Sequence, residues 1–442
     1  MSRNVYRFAG VTAALALLVV VGTAGATSQR AAATKVNICY ANAATDFTPA
    51  FVAQNEGFFA KNGLDVNLVL ASGGRGAQFL ASGVCNINLD SATPDITADQ
   101  RGADLVLLGA DANTFDFRLV AKASIANVKA LAGKTLALSS PGAAVDIAGR
   151  AMLKEFSLNA SAVNIVYISS LAARLAALQS GSIDAMIISP PIGKVIGDGT
   201  KYKMIYNLKG LHFILNGTWA TRSYAQANPD VIKAYLRSDV QALQFLKNPA
   251  NKAAVLKDVA AVTGFTDPSD TEEAYNDVLK FQQPEPLIDN RALRNSIQWV
   301  NDQLNVNIDQ NSFLYLSPLQ QVLTRHLSAK LTAAQSVPKP KGAKGTGSFT
   351  ATLTPAGKLS WKLSTAGLTG KPIYAAVHIG RPGKSAPAVL QLCAPCKTGA
   401  SGSAKAYTPL QVAIKQGNTF VTVATAKNAK GEIRGQVTAN LG

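Results

Sequence analysis

The chain has 442 residues, 48% hydrophobic, 16% charged and 7% aromatic, with 35 glycines and 19 prolines. That is the composition of globular protein and excludes a disordered, collagen-like or coiled-coil chain, while the length excludes one small domain and predicts two or three folded units. The formal charge of +17 is unevenly placed: from Ser336 to Gly442, 14 Lys and Arg meet a single acid, Glu432, whereas between Arg7 and Ser336, 27 bases meet 25 acids. The nearly neutral body gives no reason to expect nucleic acid as a partner, and the basic character belongs to the C-terminal region.

The N-terminus combines Arg3 and Arg7 with an apolar run from Phe8 to Val21 and then Ala24-Gly25-Ala26. This pattern predicts a cleaved signal peptide over residues 1–26, because the run is shorter than the roughly 20 residues of a spanning helix. No cysteine follows the small-residue site for lipid attachment, and no later segment is long and apolar enough to span. Export makes disulfides the expected state of the four cysteines, Cys39, Cys85, Cys393 and Cys396. Cys393-Ala394-Pro395-Cys396 also has the spacing of a redox or half-zinc motif, but zinc would need two more soft ligands, and only His378 is nearby.

Val36 to Tyr40 reads as a strand, and Pro49 to Asn62 as a helix stopped by Gly63. Further strands are predicted at 66–70, 87–89, 105–108, 135–138, 165–168 and 185–188, with helical patterns between them, including 171–179 and 229–247. Such alternation implies a mainly parallel sheet with right-handed crossovers. From Pro229 to about Lys330 the pattern is almost wholly helical. Residues 336–346, rich in Pro, Gly and Lys, then read as a linker. Beyond it short period-two runs at 348–353, 359–363, 419–424 and 432–437, without a helix signal, predict an antiparallel β-sandwich or barrel.

Thr48-Pro49, Thr93-Pro94, Ser140-Pro141 and Ser189-Pro190 each follow a strand and precede a helical run. A hydroxyl residue suits the helix N-cap and proline the first helical position. Helix starts at the carboxyl ends of parallel strands converge on one cleft, where free N–H groups suit a polar or anionic small ligand.

Residues 50–66, AFVAQNEGFFAKNGLDV, together with Ala81-Ser82-Gly83, Leu131 to Thr135 and Ala177 to Ala185 (ALQSGSIDA), resemble the solute-binding proteins of ABC importers that serve nitrate, sulfonates, taurine and thiamine precursors. The resemblance covers roughly 300 residues. It implies an α/β two-lobed periplasmic-binding-protein type II fold over 35–335, with crossings near Arg118 to Lys122 and Phe213 to Ala220. Carried over by position, the ligand-binding residues are Asp46, Phe47, Gly73, Gly74, Ser91, Ala92, Thr93, Asn113, Ser140, Gly142, Ala143, Ser189 and Pro190. The amides of Gly142 and Ala143 are the leading anion donors. Asp46 departs from an anion site, since a carboxylate in the mouth favours a cationic or hydroxyl-bearing ligand. In this fold the first and third strands are neighbours, so Cys39 and Cys85 can pair.

The tail, 347–442, resembles the CHRD domain of chordin and many bacterial secreted proteins, through Gly357 to Leu363 with Gly367 to Gly370, Ala375 to Gly380, and the closing Gly431 to Val437 (GEIRGQV). Ala376 and Ala424 stand where typical members carry histidines, leaving His378 alone, which favours a structural role over a metal site. The three histidines, His212, His326 and His378, lie in different segments and make no triad or zinc spacing. The expectation is therefore a non-enzymatic, monomeric, extracytoplasmic solute-binding protein that needs no cofactor or metal and partners an ABC-importer permease. An anionic envelope surface is the partner expected for the basic tail, and an adhesive or structural envelope role is the alternative reading.

Overall fold

Ten short strands build the first two layers: β1 (Thr34–Tyr40), β2 (Leu64–Leu70), β3 (Ile87–Asp90), β4 (Leu105–Ala112), β5 (Arg118–Lys122), β6 (Thr135–Leu138), β7 (Asn164–Tyr167), β8 (Ala185–Ile188), β9 (Tyr202–Asn207) and β10 (Asn216–Thr221). The computed structural model describes residues 32–442 apart from Gly73 and Thr398, so the signal-peptide segment and the Gly73 site lie outside the described residues. One sheet runs β2-β1-β3-β10-β4 and the other β7-β6-β8-β5-β9. In each, the first three strands are parallel and the fourth, β10 or β5, is antiparallel to both its neighbours. Those two strands are the first each lobe receives from the other: the chain leaves the first sheet after Ala112, enters the second at Arg118, and returns between Asn207 and Asn216.

The two connections are held to each other. Leu215 N donates to Ala112 O at 2.8 Å and Leu208 N to Phe117 O at 3.0 Å. Phe115 stacks on Phe213 with centroids 5.0 Å apart and on Phe117 at 5.5 Å. Two short connections with a shared aromatic stack are the parts expected of a hinge.

Local chemistry explains the elements around the sheets. The helix Pro229–Lys247 buries Ile232, Leu236, Val240 and Leu243, spaced three and four apart, in the first lobe. Each fully buried side chain of this kind contributes about 2 kcal/mol. The helix expected over 49–62 divides at Gly57, whose φ of 71° puts it in the left-handed region, giving helices Thr48–Asn55 and Phe58–Lys61. The break turns Phe59 into the core beside Tyr235, and Gly63 stops the second helix as expected. Cys39 in β1 and Cys85 before β3 form a buried disulfide in this lobe.

The C-terminal region is antiparallel throughout, one nine-stranded sheet curled around its own core as a nearly closed barrel. Its start corrects the helical reading, which had run to about Lys330. Residues Arg325–Thr332 are a strand, in full register with Thr346–Leu353. The alternation Leu327, Ala329 and Leu331 inward with His326, Ser328 and Lys330 outward is period two, not helical. The absence of a helix signal is corrected too, since Thr408–Lys415 is a helix with Pro409 in its first turn that buries Leu410, Ala413 and Ile414. Cys393 and Cys396 are disulfide-bonded. His378 accepts or donates at both ring nitrogens, to Ala386 O (2.9 Å) and Thr422 Oγ1 (2.7 Å), and stacks on Phe420, a structural role throughout.

The barrel is docked to the lobes, not merely tethered. Glu285, in the segment after the helix Pro268–Phe281, bonds Arg325 Nη2 at 3.0 Å and Lys415 Nζ at 2.7 Å, and both Glu285 and Arg325 are buried. Arg237 adds hydrogen bonds to the Gly442 carbonyl oxygen.

Candidate functional site

A cavity of about 1410 Å³ opens where the carboxyl ends of the strands in both sheets face each other. Asp46 and Phe47 follow β1, Asp90 ends β3, Ser139 and Ser140 follow β6, and Ser189 and Pro190 follow β8. This is where ligands sit in open α/β sheets. Of the residues expected from sequence, Asp46, Phe47, Gly74, Thr93, Ser140, Gly142, Ala143, Ser189 and Pro190 line the cavity. Ser91, Ala92 and Asn113 do not. Ala92 is core; Ser91 N is turned to Asp90 Oδ1 at 2.7 Å; Asn113 bonds Leu287 O and Asp289 N, tying the end of β4 to the helix Asn290–Leu304. His212 also lies outside the lining, 3.8 Å from Asp289.

The hydroxyl-proline pairs act differently from the caps expected of them. Thr48 is already helical, with its hydroxyl on Thr45 O at 2.7 Å; Ser91, not Thr93, precedes the helix Ala92–Ala98; and Ala143 precedes Ala144–Glu155. The leading anion donors are occupied from within. Gly142 N donates to Asp146 Oδ2 at 2.9 Å and Ala143 N to Ser140 O at 3.2 Å. Asp146 thus supplies the negative charge that this helix start would otherwise offer a ligand. The same carboxylate holds Arg150 (2.9 Å) and the Tyr167 hydroxyl (3.0 Å).

The first lobe presents acid. Asp46 and Asp90 are buried at the cavity wall, with Asp95, Asp111, Asp116 and Asp239 buried behind them. Asp46 is fixed by its backbone: its carbonyl accepts from Gln282 Nε2 (2.7 Å) and Asn216 Nδ2 (3.1 Å). Burial, then the charges of Asp116 and Asp90, push the Asp46 pKa well above the usual carboxylate value. Burial raises Asp90 to about 7 against hydrogen bonds from Ser91, and raises Asp116 to about 7 with the help of Asp277 and against Arg118. Asp111 is raised by burial and by Asp239 and Asp46. The second lobe presents arginine. Arg174 Nη1 donates to Ile168 O (2.7 Å) and Ser169 O (3.1 Å), while its buried Nε has no protein partner.

Sequence reading missed Asp90 and Arg174. Each left a signal: an acid closing the apolar strand Ile87–Asp90, and a lone charge in the helix LAARLAALQS. Among the described residues no three His, Cys, Asp or Glu side chains converge as a metal site, and no helix is long and apolar enough to cross a membrane.

Two lobes of this topology, hinged by paired connections around a cleft, define the type II periplasmic-binding fold. Residues 44–253 match the family model described as NMT1/THI5 like and residues 327–437 match the CHRD domain model, so the chain joins an NMT1/THI5-like domain to a CHRD domain. No curated protein sequence matches it. Among solved structures, it is similar to the putative periplasmic sulfonate-binding protein SsuA from Methylobacillus flagellatus KT (19% identity, TM-score 0.54, covering 65% of this chain and 93% of that one). It is also similar to the alkanesulfonate-binding protein SsuA from Xanthomonas axonopodis pv. citri bound to MOPS (17% identity, TM-score 0.53, 65% and 100% covered). The desulfurization enzyme DSZB has the fold as well (15% identity, TM-score 0.51, 64% and 97% covered). At these identities the likeness is one of fold.

Proposed function

We propose that the chain is the extracytoplasmic solute-binding component of an ABC importer, a monomer whose two lobes, within 35–335, close on one small polar solute and present it to a permease. The observation that supports this best is the cleft itself, lined from both lobes at the strand ends and flanked by two connections that share the Phe115–Phe213 stack. Closure is a population shift that the solute drives by touching both walls at once. Export through the 1–26 segment and the two disulfides fit an oxidising compartment. The solute classes carried by the family resemblance are sulfonates, nitrate and thiamine precursors. Binding without chemical turnover is the reading that the NMT1/THI5-like match and the sulfonate-binding fold relatives support, with DSZB the relative of this fold that is an enzyme.

The test is a thermal-shift screen of the chain from residue 27 onward, followed by small-angle scattering on any hit. A solute at a hundred times its dissociation constant adds about 2.7 kcal/mol of stability. Stabilisation together with a smaller radius of gyration supports closure on a solute; turnover of the hit moves the protein to the enzymes of this fold. A second reading, an envelope-attached role for the CHRD domain, is favoured by one observation: from Arg325 to Gly442 the sole carboxylate side chain is the buried Glu432, so every exposed side-chain charge there is positive.

A further inference from the structure

Resting on the solute-binding reading, we propose that the solute carries a protonated nitrogen group, an amine, guanidinium or amidinium, seated on Asp46 and Asp90, with a hydrogen-bond-accepting group turned toward Arg174. The first wall is built for positive charge. Asp46 and Asp90 are 5% and 7% exposed, both line the cavity, and the Asp46 carboxylate accepts no hydrogen bond from another residue among the described ones. Beside them the Thr93 hydroxyl, on a residue 5% exposed that lines the same cavity, also has no protein partner. Across the cleft Arg174 is 6% exposed, lines the cavity, and keeps its Nε unpartnered. Buried polar atoms are normally paired; Thr93 Oγ1 and Arg174 Nε are sealed within the walls, and the groups left for a ligand to pair are the Asp46 and Asp90 carboxylates, which line the cavity without a cationic partner among the described residues.

The alternative polarity is weaker on the same grounds. An anion would meet the buried carboxylates Asp46 and Asp90 on one wall and, on the other, a helix start whose amides are taken by Asp146 and Ser140; of the three lining arginines, Arg150 is paired with Asp146 and Arg174 already donates to two backbone carbonyls, which leaves Arg101 at the cavity rim. Behind Asp46 and Asp90 stand Asp95, Asp111, Asp116, Asp239 and Asp277, with Arg118 paired to Asp277 and Lys209 near Asp277 and Asp116, while the cations of the cavity lining itself are Arg101, Arg150 and Arg174. A cation therefore adds the charge the wall lacks. Its arrival favours the ionised carboxylates, so binding releases protons.

The experiment uses the chain from residue 27 onward and pairs cation-bearing probes (agmatine, putrescine, 3-aminopropanesulfonate, 4-aminobutyrate) with propanesulfonate, glutarate, nitrate, Mg2+ and Ca2+, by thermal shift and calorimetry. The expected result is binding by cation-bearing organic probes alone, weakened at least tenfold by Asp46→Asn and by Asp90→Asn. Affinity should rise about tenfold from pH 6 to pH 8, as follows when a group near pKa 7 must ionise. A readout independent of the probe is the solute-free melting point at pH 8, which the double variant Asp46→Asn/Asp90→Asn should raise by removing two buried carboxylates that have no cationic partner among the described residues. Binding by propanesulfonate, glutarate or nitrate but by no amine overturns the inference and leaves solute binding intact. Affinity that falls as pH rises also overturns it, since protonated Asp46 and Asp90 would then be donating to the solute. A response to Mg2+ or Ca2+ alone does the same. No response to any probe, with a double variant no more stable than the parent, overturns both readings.

Discussion

Two buried acidic sites in this molecule were solved in opposite ways. In the CHRD domain the Glu432 carboxylate accepts from Thr369 N (2.6 Å), Thr369 Oγ1 (2.7 Å), Thr425 Oγ1 (2.6 Å) and Asn428 Nδ2 (3.2 Å). Burial pulls its pKa upward, but these hydrogen bonds outweigh it and the net shift is downward. At the cleft, Asp46, Asp90, Asp111 and Asp116 are buried with few donors, and all four shift upward. The chain can satisfy a buried acid fully when the acid only has to hold two loops together. Where it leaves Asp46 and Asp90 on a cavity wall without a cationic partner, the missing partner is to come from outside.

The sharpest way to break that comparison is pH, and it carries the largest expected effect. Asp90 and Asp116, raised from 3.8 to about 7, keep protons in the folded state that the unfolded chain has released above pH 4. Stability should therefore fall as pH rises from about 4 to 7 and level off above, by at most about 4 kcal/mol per group for a three-unit shift. Glu432 has the opposite sign: its contribution is complete above its ordinary value of 4.5 and is lost as pH falls below it. Urea unfolding of the solute-free chain at pH 3, 4, 5, 6 and 8 should show a maximum near pH 4, where the two opposite trends cross. A curve still rising between pH 5 and 8 would mean that the cleft acids are satisfied after all.

Removing single partners should give the next effects. Glu285→Ala leaves Arg325 buried without its carboxylate and should cost about 3–5 kcal/mol, the usual penalty for breaking a buried ion pair. If the barrel were merely tethered, the loss would be near zero and its melting would separate from that of the lobes. Glu432→Ala strands the Thr369, Thr425 and Asn428 donors and should cost about 2–3 kcal/mol, with its acid-side pH dependence abolished.

Much of this architecture was legible in the chain, and what was not has identifiable physical reasons. β6 and β8 coincide with their expected ranges because Thr135–Leu138 and Ala185–Ile188 are short apolar runs bounded by turn residues. The helix 229–247 also matches, having proline at its start and a strong apolar stripe. β9 escaped because Tyr202–Asn207 lies at a sheet edge and alternates too weakly. The strand 325–332 escaped because it follows helices in sequence but pairs with residues beyond the linker, a tertiary fact. At the site, fold position predicted the lining at Asp46, Thr93 and Ser140. It could not predict that Asp146 would occupy the Gly142 amide, because that depends on a side-chain choice four residues along one helix turn. The GEIRGQ segment shows the reverse case: Arg434 over Phe420 at 3.5 Å and Gln436 on Gly380 O and Gly417 O make each polar residue of the motif structural.

The smallest effect on stability belongs to the barrel's outer face, and it concerns what the CHRD domain meets. Lys358 lies opposite Lys405, Thr350 opposite Lys362, and Lys362 opposite Ser401, so neighbouring strands present a continuous surface of lysine and hydroxyl groups. Surface lysines contribute little to folding, and Lys358→Glu/Lys362→Glu/Lys405→Glu should change stability by no more than about 0.5 kcal/mol per site. Association with an anionic surface has the opposite sensitivity. It rests on the summed field of these charges, which is screened over about 8 Å at physiological salt. Cosedimentation of the parent chain with vesicles rich in anionic lipid should be strong at 50 mM salt and weak at 500 mM, and the triple variant should be lost at both. Binding by the variant equal to the parent's, or binding indifferent to salt, would show that the positive face is only a solvated surface. The contrast with the cleft would then stand on the acids alone.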